Sequence, residues 1–121
     1  MAKNKFADVD PAVLAAYMKM IEGVEGVEAR GAAAPYTSLN GNMYSSISKF
    51  NEIGLRLAKD EREAFLEKYG TRLYHSIPGY VQREYVTVPP ALFGNTRTLR
   101  SWFRKSYDYV SSLPAKPTKK K

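Results

Sequence analysis

The sequence predicts an α+β domain of two layers, helices packed on one antiparallel sheet, in the order helix, three-strand meander, helix, β-hairpin, helix. Three observations carry this. Asn40-Gly41 sits between alternating runs, and this pair best tolerates the two positive φ angles of a type I′ hairpin turn. Alternation of period two continues through residues 43–48 and 53–58, which argues for strands with one wet and one dry face. Beyond residue 59 the apolar spacing becomes helical and ends at Gly70, suited to the left-handed residue after a helix.

In chain order, residues 1–9 are read as a flexible N-terminus, 10–113 as one domain and 114–121 as a flexible basic tail. Asp10-Pro11 starts the first helix, with Asp10 as N-cap and Pro11 at the first position, where its missing N–H is not needed. Leu14, Tyr17, Met18 and Ile21 follow the i, i+3, i+4, i+7 template, flanked by Val13, Met20 and Val24, and Gly23 and Gly26 end the helix. Tyr17, Met18 and Met20 are assigned to the core. Residues 27–35 read either as a first strand broken near Gly31 or as a loose segment, and Pro35 suits a strand start or an edge.

In the meander, Met43, Ser45 and Ile47 are expected on one face and Tyr44, Ser46 and Ser48 on the other, with a second turn at Asn51. Loops this short permit only antiparallel pairing. Ile53, Leu55 and Leu57 then alternate with Gly54, Arg56 and Ala58. Asp60 is expected to cap the middle helix, with Glu63 completing a capping box. Asp60, Glu61, Glu63 and Glu67 are read as a solvated helix face, not as paired catalytic carboxylates. Leu73–Ile77 is a short strand, Pro78-Gly79 a turn, and Val81–Val88 a strand stopped by Pro89-Pro90. Asn95 or Thr96 caps the last helix, which puts Leu99, Trp102, Phe103 and Val110 on one face and Arg97, Arg100 and Arg104 on the opposite one.

The 121 residues suit one domain with a single core. With no cysteine, disulfides and thiolate chemistry are excluded. No apolar run approaches transmembrane length and the first ten residues lack the apolar centre of a signal peptide, so a cytoplasmic protein with no membrane contact is expected. The net charge of +7 is uneven: residues 1–96 hold eleven Lys/Arg against eleven Asp/Glu, whereas residues 97–121 hold eight against Asp108 alone. There is no phosphate-binding glycine loop and no dinucleotide fingerprint. His75, the one histidine, is read as a structural strand residue. No catalytic residue, metal or cofactor is expected. Tyr36, Tyr44, Tyr69, Tyr74, Tyr80 and Tyr85 either line a pocket or are ordinary strand residues.

Three places then carry a family resemblance. Gly26-Val27-Glu28 is followed by Asn40-Gly41-Asn42-Met43; the middle helix and its downstream turn come in matching order; and residues 84–121 run from a strand through a proline-bounded turn to a Trp-containing helix ending in Ser112-Leu113-Pro114. Over residues 20–121 the chain resembles the N-terminal domain of the TfoX/Sxy family, the bacterial competence regulators. The resemblance implies a two-layer fold of the secretion-chaperone-like class and a link to transcriptional regulation. Where the family often has Met-Phe-Gly-Gly, this chain has Ala32-Ala33-Ala34-Pro35-Tyr36, and residues for the second helical domain of longer members are absent from it. No catalytic residue is carried over.

The expected function is a non-enzymatic regulatory or partner-binding module that contacts a protein partner. Arg97, Arg100, Arg104, Lys116, Lys119, Lys120 and Lys121 read either as a solubilising face and tail or as a non-specific nucleic-acid contact, which would supply affinity without sequence information. The alternatives are a small-ligand or acidic-peptide binding domain with a sheet-lined pocket, and a homodimer formed through an exposed edge strand.

Overall fold

The computed structural model describes residues 8–31, 34–77 and 79–114, without the side chains of Ser76 and Ile77. Of the sequence expectations, those on residues 1–7, Pro78 and 115–121 lie outside the described residues. The elements are α1 (Pro11–Ile21), β1 (Tyr36–Leu39), β2 (Asn42–Ile47), β3 (Ile53–Arg56), α2 (Lys59–Tyr69), β4 (Leu73–Ile77), β5 (Tyr80–Val88), a 3₁₀ turn (Pro90–Leu92) and α3 (Thr96–Ser111). All strand pairings are antiparallel, in the order β1-β2-β3-β5-β4. The α+β class is therefore the one the sequence predicts.

The turns follow from local chemistry. Asn40 and Gly41 take φ of 54° and 83°, and Asn51 takes φ of 59° in the β2–β3 turn. Asp10 caps α1 by accepting the Ala12 N–H at 2.9 Å, and Asn95 caps α3 by accepting the Thr98 N–H at 3.2 Å. Gly70 closes α2 at φ 59°, ψ 37°. The N-terminus of α2 differs from expectation. The helix begins at Lys59 after an extended Ala58 with no side-chain cap, so Asp60 is not the N-cap and the Asp60–Glu63 box does not form. Asp60 and Glu61 instead lie in the first turn, where their charge complements the helix dipole.

Cross-strand register defines the two faces of the sheet. Thr37, Ser45, Leu55, Val86 and Leu73 form one row, and Ile47, Ile53 and Val88 another. Leu55, Val86, Ile47, Ile53 and Val88 join Val13, Tyr17, Met20, Phe65, Leu99, Phe103 and Val110 in the core, so the helices cover this face. The alternate row, Tyr36, Ser46, Gly54 and Thr87, lies on the other face.

A bulge corrects the predicted alternation of β2. Thr37 pairs with Ser45 but Ser38 with Met43, so Tyr44 is the extra residue. Tyr44 and Ser45 consequently both serve the helical side. The Tyr44 ring packs on Phe103 and Tyr107 of α3 at 5.4 and 5.8 Å, and Ser45 Oγ lies 2.7 Å from the Tyr17 hydroxyl of α1 and 2.6 Å from Thr37 Oγ1. The buried Ser106 of α3 donates to the Arg56 carbonyl at 2.6 Å and lies 3.1 Å from that of Tyr44, pinning the helix to the backbones of β3 and β2.

Two core assignments shift. The buried stripe of α1 is Val13, Ala16, Tyr17, Met20 and Ile21, and Met18 is exposed, one step of about 100° past Tyr17. Trp102 is half-buried at the rim, its ring edge-on to Phe65 at 4.9 Å and its N–H donating to the Tyr69 hydroxyl at 3.2 Å. Val9, within the N-terminal stretch read as flexible, is buried, and the neighbouring Asp10 N–H donates to Asn51 Oδ1 at 2.7 Å. Residues 27–35 contribute an isolated bridge, Arg30 to Tyr36, and no strand among those described.

Candidate interaction surfaces

The basic face of α3 is partly consumed by the fold. Arg100 donates through Nε to the Lys19 carbonyl at 2.8 Å and through Nη2 to Glu22 Oε1 at 2.9 Å. It thereby supplies partners to the carboxyl end of α1, where carbonyls have no helical donor. Its stem runs so close to Gly23 that a Cβ there would meet Arg100 Cβ at 2.8 Å, which explains a glycine at this point. Arg104 Nη1 is directed at the Gly23 carbonyl at 3.5 Å. Arg97 is exposed. The structure therefore does not present Arg97, Arg100 and Arg104 as one free array: two of them face α1. Lys116, Lys119, Lys120 and Lys121 lie outside the described residues.

The predicted tyrosines do not converge on a pocket. Tyr44 faces α3, and Tyr69 packs on Phe65 and Trp102. Tyr74 and Tyr85 stack on each other at 5.7 Å. The Tyr74 ring lies over Gly54, where a Cβ would come within 2.6 Å of it, and its hydroxyl is 2.8 Å from Ser46 Oγ. The Tyr85 hydroxyl donates to the Met43 carbonyl at 2.7 Å. Burial pushes the Tyr44 and Tyr74 hydroxyls up to about 12, and burial also raises Tyr17 and Tyr85. These phenols stay protonated at neutral pH and act as structural donors and acceptors.

The β4 strand forms one edge of the sheet. The other edge strand, β1, is flanked by Arg30, which exchanges two backbone hydrogen bonds with Tyr36 at 2.8 and 3.0 Å. Among the described residues β4 pairs with β5 alone, so its outer backbone row is unpaired. Exposed apolar side chains stand at its hairpin end and in the β2–β3 turn. Tyr80 and Val81, at the hairpin tip, are 55% and 40% exposed, and Phe50, in the β2–β3 turn, is 48% exposed. Phe50 shares a shallow depression of about 220 Å³ with Glu52, Arg72 and His75. Arg72 bonds Glu52 across it.

His75 therefore lies in the middle of an edge strand with Arg72 and Glu52 close by. Among the described residues no group of three His, Cys, Asp or Glu is placed to hold a metal ion, and no helix is long and apolar enough to cross a membrane.

The sequence raised an exposed edge strand but did not say which strand it is, because β4 and β5 read as ordinary hairpin strands. The available signal was the exposed-type pair Tyr80-Val81 directly after a turn. Comparison of the chain with protein-family models, with curated proteins and with solved structures returns no match.

Proposed function

We propose that this chain is a small, non-catalytic partner-binding module of the cytoplasm, of the kind represented by the N-terminal domain of the TfoX/Sxy competence regulators, and that it acts through protein contact. The observation that carries the reading is the β4 edge, unpaired among the described residues, with exposed Tyr80 and Val81 at its hairpin end. Exposed apolar groups beside an open strand edge are the surface that β-strand addition uses, in which main-chain hydrogen bonds give affinity and alternate side chains give selectivity. The family part of the reading rests on the sequence resemblance over residues 20–121.

The reading is tested by placing a photo-crosslinking residue at Tyr80 and, separately, at Ser101 on the exposed face of α3. Adducts with protein are expected from position 80 in excess of those from position 101. Equal or absent labelling at position 80 would overturn the reading.

A second reading, non-specific nucleic-acid contact, is favoured by the charge excess in residues 97–121. Because Arg100 is bonded to α1, this contact would rest on Arg97, the exposed Arg104 and the lysines beyond Leu113. Fluorescence anisotropy of duplex DNA against salt tests it. Removing the four lysines by ending the chain at Leu113 is expected to lower the log–log salt slope by about 3–4. If the full chain shows no binding at low salt, the charge serves solubility and this reading is wrong.

A further inference from the structure

We propose that the cavity between the α1–β1 connection, the β1–β2 hairpin and α3 binds a small free α-amino acid, its carboxylate at Tyr44 and Arg30 and its ammonium group at Glu25 and Glu28. The site lies at the β1 end of the sheet, away from the β4 edge, and goes beyond the protein-contact reading. The cavity measures about 170 Å³, and Tyr107 completes the wall formed by these four residues. It is smaller than the roughly 300 Å³ at which pockets for drug-sized molecules begin, so it suits a small metabolite.

A chain of buried hydroxyls aims a donor into this space. Tyr17 is completely buried, and its hydroxyl meets Ser45 Oγ at 2.7 Å and no other partner among the described residues. Tyr17 therefore donates, because the reverse direction would orphan its O–H in the core. Ser45 then passes its own proton to Thr37 Oγ1 at 2.6 Å. Thr37, also completely buried, in turn bonds the Tyr44 oxygen. Each hydroxyl has one proton to give, so the chain ends on the Tyr44 O–H, which finds no acceptor among the described residues. Tyr44 is 1% exposed and lines the cavity, and burial keeps its hydroxyl in the donating form.

The charges around the cavity specify the rest. Arg30, Glu25 and Glu28 are exposed and make no ion pair among the described residues. Arg30 is held in place by its two backbone hydrogen bonds with Tyr36. A free O–H and a guanidinium call for a carboxylate, which accepts from both. Two glutamates beside the Tyr107 ring call for a cation. A simple anion would meet the two glutamates, and a simple cation would leave Tyr44 and Arg30 unused. An α-amino acid carries both charges on adjacent atoms and satisfies all four groups.

The test is a titration of the isotope-labelled full chain with L-alanine, read at the backbone amides of residues 26–30, 38 and 39. L-Alaninamide, which lacks the carboxylate, and L-lactate, which lacks the ammonium group, are the controls. Alanine is expected to shift these amides, and each control to bind at least about fivefold more weakly. Tyr44→Phe keeps the ring against Phe103 and Tyr107 but removes the donor, and is expected to weaken alanine about five- to twentyfold. Arg30→Gln changes an exposed side chain and is expected to weaken it about two- to fivefold, which keeps the test open if the tyrosine variant folds poorly. Absence of shifts at these amides in tens of millimolar alanine would refute the proposal. So would equal binding of either control, or full affinity in a folded Tyr44→Phe variant. None of these readouts involves the β4 edge, so this site and the protein-contact reading fail separately.

Discussion

Gly54→Ala is the substitution that most directly tests how β4 is held in place. Gly54 sits in the middle of β3, opposite Ser46 of β2 and Thr87 of β5, and the Tyr74 ring covers it. An added Cβ would stand 2.6 Å from three ring atoms. Tyr74 is completely buried and belongs to β4, so the clash falls on a group close to the backbone and not on the end of a flexible side chain. Overpacking of this kind costs about 1–3 kcal/mol. Displacing the ring also weakens its stacking on Tyr85, worth about 0.5–1.5 kcal/mol, and its hydroxyl contact with Ser46, worth about 1 kcal/mol. Replacing glycine within a strand returns about 0.5–1 kcal/mol.

The expected net loss is about 2 kcal/mol, or a Tm lower by about 8 °C for a chain of this size. Urea unfolding followed by Trp102 fluorescence, the single tryptophan, measures it. In a Tyr74→Ala background the methyl group has room, so Gly54→Ala should there become neutral or stabilising, giving a coupling of about 2 kcal/mol. A cost below about 0.5 kcal/mol, or additivity of the two substitutions, would show that Tyr74 does not rest on Gly54 and would sink the account of how the edge is positioned.

Other expectations follow from the same contacts. Ser106→Ala leaves the carbonyls of Arg56 and Tyr44 without their hydroxyl partner and is expected to cost about 1–2 kcal/mol in urea unfolding, despite the better helix propensity of alanine. Arg100→Ala should lower stability by about 1 kcal/mol, because it removes hydrogen bonds to the end of α1. Arg97→Ala should stay within about 0.5 kcal/mol of the unchanged chain, and equal losses at both positions would contradict the structural role given to Arg100.

Alkaline pH should unfold the domain steeply. The Tyr44 and Tyr74 hydroxyls are raised to about 12 from 10.0, and Tyr17 and Tyr85 are raised as well. Each such group binds its proton more tightly in the folded chain, so its contribution is complete below pH 10 and is lost as pH rises from 10 through the folded value. The slope is about 1.4 kcal/mol per pH unit for each tyrosine. Chemical denaturation at pH 9, 10.5 and 11.5 measures the decline, and a flat profile above pH 10 would be incompatible with buried phenols.

Much of the fold was legible because its signals are local. Asn40-Gly41 and Gly70 supply the left-handed conformations their turns require, Asp10 and Asn95 cap their helices, and period-two alternation marks the strands. The errors fall where a tertiary contact overrides a local preference. Alternation alone placed Tyr44 and Ser45 on opposite faces; pairing with β1 introduced the bulge that brings both to the helices. The spacing of Arg97, Arg100 and Arg104 marked a polar helix face, but the linear pattern contains no information that α1 ends beneath it.

By itself, then, the sequence determined the α+β class, the element order, the main turns and the uneven charge, because backbone propensity, alternation and composition are properties of neighbouring residues. Tertiary structure decided which strand lies at an open edge, which arginines remain free and which tyrosines are buried. Those outcomes depend on contacts between residues distant in the chain, such as Arg100 with Lys19 and Tyr74 with Gly54, whose free energy exists only once the sheet and helices are packed together.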